Sequence, residues 1–145
     1  FDLPELDHFG HIGGDRFAAN LLVLPEGLYY GQVEPDRAAD VAATHRRGEV
    51  TPDLLRGRSA WAMPVQAAAV ELRHHTGIRE LHGIRPLATS RTAQGWLTTW
   101  ATRSPERKWT VAVERLAPPA TRLTCSADHE DIPWEFRAAT PEPLP

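Results

Sequence analysis

After Gly77 the chain reads as β structure, and this limits the folds open to it more than any other feature. Ile84 to Arg91, Gly95 to Arg103, Lys108 to Arg115 and Thr121 to Ser126 are strand candidates, each bounded by Gly, Pro or Ser. Ser104-Pro105-Glu106-Arg107 has the composition of a hairpin turn, and Ala117-Pro118-Pro119-Ala120 separates the next pair. Between Lys108 and Glu114, one side of the strand carries Trp109, Val111 and Val113. The other carries Lys108, Thr110, Ala112 and Glu114. One buried and one wet face is the signature of an antiparallel sheet. Residues 78–138 are therefore expected to form an antiparallel meander.

The half before Gly77 differs. Leu21-Leu22-Val23-Leu24 and Leu28 to Val33 are apolar runs joined by Pro25-Glu26-Gly27, the pattern of a β-hairpin. Pro35-Asp36 opens a helix that runs to about His45, with Asp36 as its expected cap and Arg46-Arg47-Gly48 as its stop. Thr51-Pro52-Asp53 predicts a second helix start, leading into the short turn Leu54-Leu55-Arg56. Trp61, Val65, Ala68, Ala69 and Leu72 recur every three to four residues and predict a longer helix from about Ala60 to His75, left through Gly77. No Gly/Ser linker divides the halves, so residues 1–139 are expected to form a single α+β domain. The proline-rich residues 140–145 are expected to be a disordered tail.

Composition narrows the functional classes. A chain of 145 residues can bury a real core, and its formal charge of −3 offers no broad basic face for nucleic acid. No apolar run is long enough for a membrane helix. Phe1 to Glu5 lack the charge and hydropathy pattern of a signal peptide. A start without Met is expected of a chain that is processed or cut from a longer one. Cys125 is the single cysteine, so an internal disulfide and a multi-thiolate zinc site are excluded and a cytoplasmic location is expected.

The densest group of chemically capable residues lies between His8 and Asn20. His8, His11 and Asp15 are ligand types for zinc or iron, and three such ligands would leave open positions for chemistry. The alternative is a glycine-rich turn at Gly13-Gly14 in which Asp15 accepts from backbone N–H groups and Arg16 pairs with an acid. His74 and His75, near His82, read as solvated residues at a helix end, favoured by its dipole. Cys125 reads as a small buried residue without a nearby base. Trp96, Trp100 and Trp109 read as core, or as a stacking surface for a planar ligand or partner.

The run from His11 to Gly31, with Gly13-Gly14-Asp15-Arg16-Phe17 and Leu24-Pro25-Glu26-Gly27-Leu28, resembles the sucrase/ferredoxin-like family of thioredoxin-like ferredoxins. Leu54 to Ser59, Pro64 to Ala68 and Leu123 to Ala127 are similar as well, so the resemblance covers most of residues 8–127. It implies a thioredoxin-like unit, electron transfer and a 2Fe–2S cluster held by cysteines of an N-terminal half together with histidines near the glycine pair. Carried over, His11 is the ligand candidate, with Gly13, Gly14 and Arg16 around the cofactor. Asp15 stands where cluster-binding members have a second histidine, and Phe9 where some have a cysteine. The cysteine-bearing half is not in this sequence. A cluster would need cysteines from elsewhere, in a longer chain or on a partner subunit. A shortened relative would instead use His8, His11 and Asp15 for a mononuclear metal, or a histidine for haem, as an enzyme of secondary metabolism. A cofactor-free interaction subunit is the third reading. Without the missing half the hairpin would keep an uncovered edge or face, which predicts a homo- or hetero-oligomer and a redox partner, with neither nucleic acid nor membrane involved.

Overall fold

The computed structural model describes residues 17–122 and 128–145. Within them the chain is mixed α and β: two helices, a three-stranded sheet and a five-stranded sheet, both antiparallel. The hairpin forms as its turn chemistry demands. Strands β1 (Leu21–Val23) and β2 (Leu28–Tyr30) pair with Val23 opposite Leu28, and Gly27 takes a left-handed φ of 66° in the connection. Helix α1 (Pro35–Arg46) follows. Its cap position is Glu34, without a side-chain cap bond, rather than Asp36. Pro35 supplies the fixed φ of the first helical turn, and Asp36 instead lies within that turn.

The expected helical turn at Leu54-Leu55-Arg56 is not there. Leu55–Arg58 is strand β3, which pairs antiparallel with β2, Leu28 facing Arg58 and Tyr30 facing Leu55. The Thr51-Pro52 signal makes only a tight turn, in which the Leu54 and Leu55 amides donate to the Thr51 carbonyl. The open edge of β2 then recruits the chain, and edge pairing prevails over local helix signals.

Helix α2 (Met63–Thr76) runs between the two sheets and packs on β3 and on the later strands Glu106–Leu116 and Glu135–Ala138. It starts three residues later than expected, because Pro64 sets its first turn. Trp61 therefore precedes the helix. Its carbonyl accepts from the Gln66 side-chain amide at 2.7 Å, and its ring meets Trp100 edge-on at 5.6 Å. Gly77, with φ 72°, ends the helix, its amide donating to the Arg73 carbonyl.

Strands β4 (Ile84–Arg91), β5 (Gly95–Arg103) and β6 (Glu106–Leu116) form the expected meander, with Ser104-Pro105 turning between β5 and β6. The strand expected at Thr121–Ser126 reduces, where it is described, to an isolated pairing of Thr121 with Asp131. Strand β7 (Glu135–Ala138) instead covers one edge of β6. The tail expected to be disordered contributes β8 (Glu142–Pro143), paired with Thr110 and Trp109 of β6. Proline is tolerated there because an edge strand leaves one side without ladder bonds.

Two apolar clusters result. Leu28, Tyr30, Val41, Val50, Leu55 and Leu81 pack beneath the hairpin. Val65, Ala68, Ala69 and Leu72 of α2 pack against Trp100, Trp109, Val111 and Val113 of the larger sheet. Trp100 and Trp109 face each other across β5 and β6 and are both buried, so they belong to the core rather than to a stacking surface. Buried threonines satisfy their indoles. Trp100 Nε1 donates to Thr98 Oγ1 at 2.8 Å, and that hydroxyl donates to the Val111 carbonyl at 3.0 Å. Trp109 Nε1 reaches Thr102 Oγ1 at 3.4 Å.

Thr98→Val keeps the shape but leaves a buried indole N–H without an acceptor, an expected loss of about 1–3 kcal/mol on urea unfolding. Tyr30 is fully buried, its hydroxyl without a well-formed hydrogen bond. Burial pushes its pKa above the ordinary 10.0, and the nearby Thr51 backbone and Arg73 charge offset only part of that. The folded chain thus holds this proton after the unfolded chain has released it, so stability is lost as pH rises above 10.0. Tyr30→Phe is expected to flatten that alkaline decline in unfolding midpoints measured from pH 8 upward.

Candidate functional site

His8, His11, Gly13, Gly14, Asp15, Arg16 and Cys125 all lie outside the described residues. What the structure shows is how the chain is held where that motif ends. The Phe17 carbonyl accepts from the Gln32 amide at 2.7 Å and the Ala19 carbonyl from the Val33 amide at 3.0 Å. The Arg56 guanidinium lies 3.6 Å above the Phe17 ring. Gly31 is bonded on its other side, its amide donating to the Leu54 carbonyl at 3.0 Å.

Gly31 sits tight against Phe17. A Cβ there would come within 3.0 Å of Phe17 Cβ and 3.2 Å of its carbonyl oxygen. The next residue, Gln32, has φ 56°, the left-handed region, and is the one described residue other than glycine with positive φ. Such a backbone costs about 1–2 kcal/mol and is kept only where neighbouring contacts hold it. Here those contacts are the paired backbone of residues 17–19. The segment leaving the motif is therefore seated against the end of β2 and the start of β3, at one fixed point.

A second feature joins the hairpin to α1. His45, in the last turn of α1, places Nε2 3.3 Å from Oε2 of Glu26 in the β1–β2 connection. Both side chains are about four-fifths buried, at 19% and 22% exposure. His45 Nδ1 and Glu26 Oε2 are buried without a hydrogen bond of good geometry. Sequence reasoning took Glu26 for a turn residue and His45 for a helix end. No local signal could pair them, because the contact arises only when α1 packs back on the hairpin.

The remaining candidates have structural surroundings. His74, His75 and His82 are exposed, and His75 rests edge-on against Trp109 at 5.4 Å. Trp96 packs on Phe136 at 5.6 Å, with Arg91 5.0 Å from its ring centre. Among the described residues, no three His, Cys, Asp or Glu side chains are gathered as a metal ion would need, and no helix is long and apolar enough to cross a membrane. Comparison of the chain with family models, with curated proteins and with solved structures gives no match.

Proposed function

We propose that this chain belongs to an electron-transfer protein of the thioredoxin-like ferredoxin type, completed by an N-terminal half or a partner subunit. The reading rests on the resemblance of residues 11–31. One observation carries it furthest: the backbone leaving the motif is clamped by Gly31, Gln32 and Arg56, with Gln32 held in a costly conformation. A tether of that kind fixes where a preceding ligand segment begins, as an electron-transfer centre requires. A β1–β2 hairpin followed by α1 is in keeping with the C-terminal part of a thioredoxin-like unit.

The donors of this chain do not by themselves fit a 2Fe–2S cluster. Such clusters take four protein ligands, mostly thiolates, and the sequence contains one cysteine, Cys125, remote from His11 in the chain. His11 is the residue this chain would contribute, with Gly13, Gly14 and Arg16 shaping the backbone around it. Asp15 is assigned to holding the turn, since carboxylates are uncommon cluster ligands. The cysteines come from the other half, so the working protein is a larger chain or a hetero-oligomer. Its place would be the cytoplasm, where thiolates stay reduced.

The complete gene product, purified without oxygen, is expected to be coloured, with iron and sulfide in equal amounts. His11→Ala is expected to lose most of the visible absorption while far-UV circular dichroism is retained. Colourless protein with neither iron nor sulfide would overturn the reading. Metal without sulfide, or haem bands, lost in His8→Ala and His11→Ala, would replace it with a mononuclear or haem enzyme on the same scaffold.

A further inference from the structure

The five-stranded sheet has α2 on one face only. Strand alternation turns Ile84, Trp100 and Trp109 toward α2, where all three are buried. Their neighbours Arg85, Ala101 and Lys108 turn the other way. They lie in register on three adjacent strands, Arg85 opposite Ala101 and Ala101 opposite Lys108. Two strand spacings put the Cα atoms of the two cations about 10 Å apart. Between them stands only a methyl group, so both long side chains can lean over Ala101 toward one point.

This row forms the floor of an open trough of about 1020 Å³. Leu87, Pro143 and Leu144 also line it, and the Leu144 amide donates to the Lys108 carbonyl at 2.9 Å, which fixes the C-terminal wall. Leu87 and Leu144 are more than a third exposed, at 38% and 37%. Arg107 and Glu106 line it as well. Among the described residues, the Arg and Lys ion pairs are Arg37 with Asp53, Arg79 with Glu49 and Arg137 with Glu114, so neither Arg85 nor Lys108 has an acidic partner within ion-pair distance. Arg85 and Lys108 thus stand unpaired on the floor beside exposed apolar surface, with Glu106 as the acidic side chain of the lining.

We propose that this trough binds an amphiphilic organic anion. Its carboxylate or phosphate head sits over Ala101 between Arg85 and Lys108, and its apolar body lies on Leu87, Pro143 and Leu144. A guanidinium offers the head a two-pronged contact and the ammonium a point charge. Glu106, in the same lining, disfavours a second anionic group beside it, so a single charged head is selected. The site is independent of the proposed cofactor and needs no residue of the His11 motif.

Isothermal titration of the full chain with decanoate, decyl phosphate and decanol, each below its micelle concentration, tests this. Saturable one-to-one binding of the anions is expected, with decanol at least ten-fold weaker. The tighter of the two anions identifies the head as carboxylate or phosphate. Arg85→Gln and Lys108→Gln are each expected to weaken binding about ten-fold, a loss of about 1.4 kcal/mol. Ala101→Leu, which fills the floor, is expected to abolish it with the far-UV spectrum unchanged. Arg46→Gln, on exposed α1 surface, leaves binding as it was. The proposal is overturned if neither anion saturates, if decanol binds as tightly as the anions, or if the Arg85→Gln/Lys108→Gln double variant binds like the parent chain.

Discussion

One buried guanidinium sets the relation between the two sheets. Arg73, 4% exposed in the last turn of α2, donates to the carbonyls of Ile78, Glu80 and Leu81. Those carbonyls belong to the loop that leads from α2 into β4. The same loop sends Ile78 into the cluster under the large sheet and Leu81 into the cluster under the hairpin. It is also bonded to the first half of the chain, the Val50 amide donating to the Arg79 carbonyl and the Leu81 amide to that of Gly48. Burial pulls the Arg73 pKa down to about 10, a measure of what removing the charge from water costs. Three carbonyl acceptors in a fan offset that cost, and a planar guanidinium can serve such a fan where an ammonium could not.

Much of this arrangement was legible because local pattern and tertiary need agree. The hairpin, both helices and β4 to β6 have periodicity and turn residues that point one way. The failures share a cause. At Leu55–Arg58 the local signal was helical, and an open strand edge on β2 overrode it. Glu135–Ala138 and Glu142–Pro143 are too short to show a period, and they become strands only because β6 offers a long edge to pair with. Trp61 fell on the apolar stripe of α2 but lies outside the helix, because the stripe records which side chains meet the core and not where the backbone coils.

The candidate site divides along the same line. Residue chemistry marked the His8 to Arg16 segment, since histidine, aspartate and paired glycines are legible one at a time. The clamp that follows it was not legible. Gly31 lies close against Phe17, and Gln32 is held at positive φ by bonds to a backbone fourteen or more positions earlier. Glu26 and His45 likewise meet only through packing. Sequence reading names candidate donors but not the supports around them, because supports are made of backbone and distance.

The two core indoles and the buried guanidinium are answered within the fold. Thr98 and Thr102 accept from the two core indoles, and Arg73 is met by three carbonyls. Other groups are not: the Tyr30 hydroxyl and Thr51 Oγ1 are buried without a well-formed hydrogen bond. On the surface, Arg85 and Lys108 flank Ala101 without an ion pair, whereas Arg37, Arg79 and Arg137 each have one. Gln32 holds a conformation that glycine would adopt without strain. A sheet face needs neither unpaired cations nor a shallow floor to be stable, and a hairpin exit needs no strained glutamine. Binding proposals rest on features of this kind, the two cations beside Ala101 and the positive φ of Gln32 beside the Phe17 backbone.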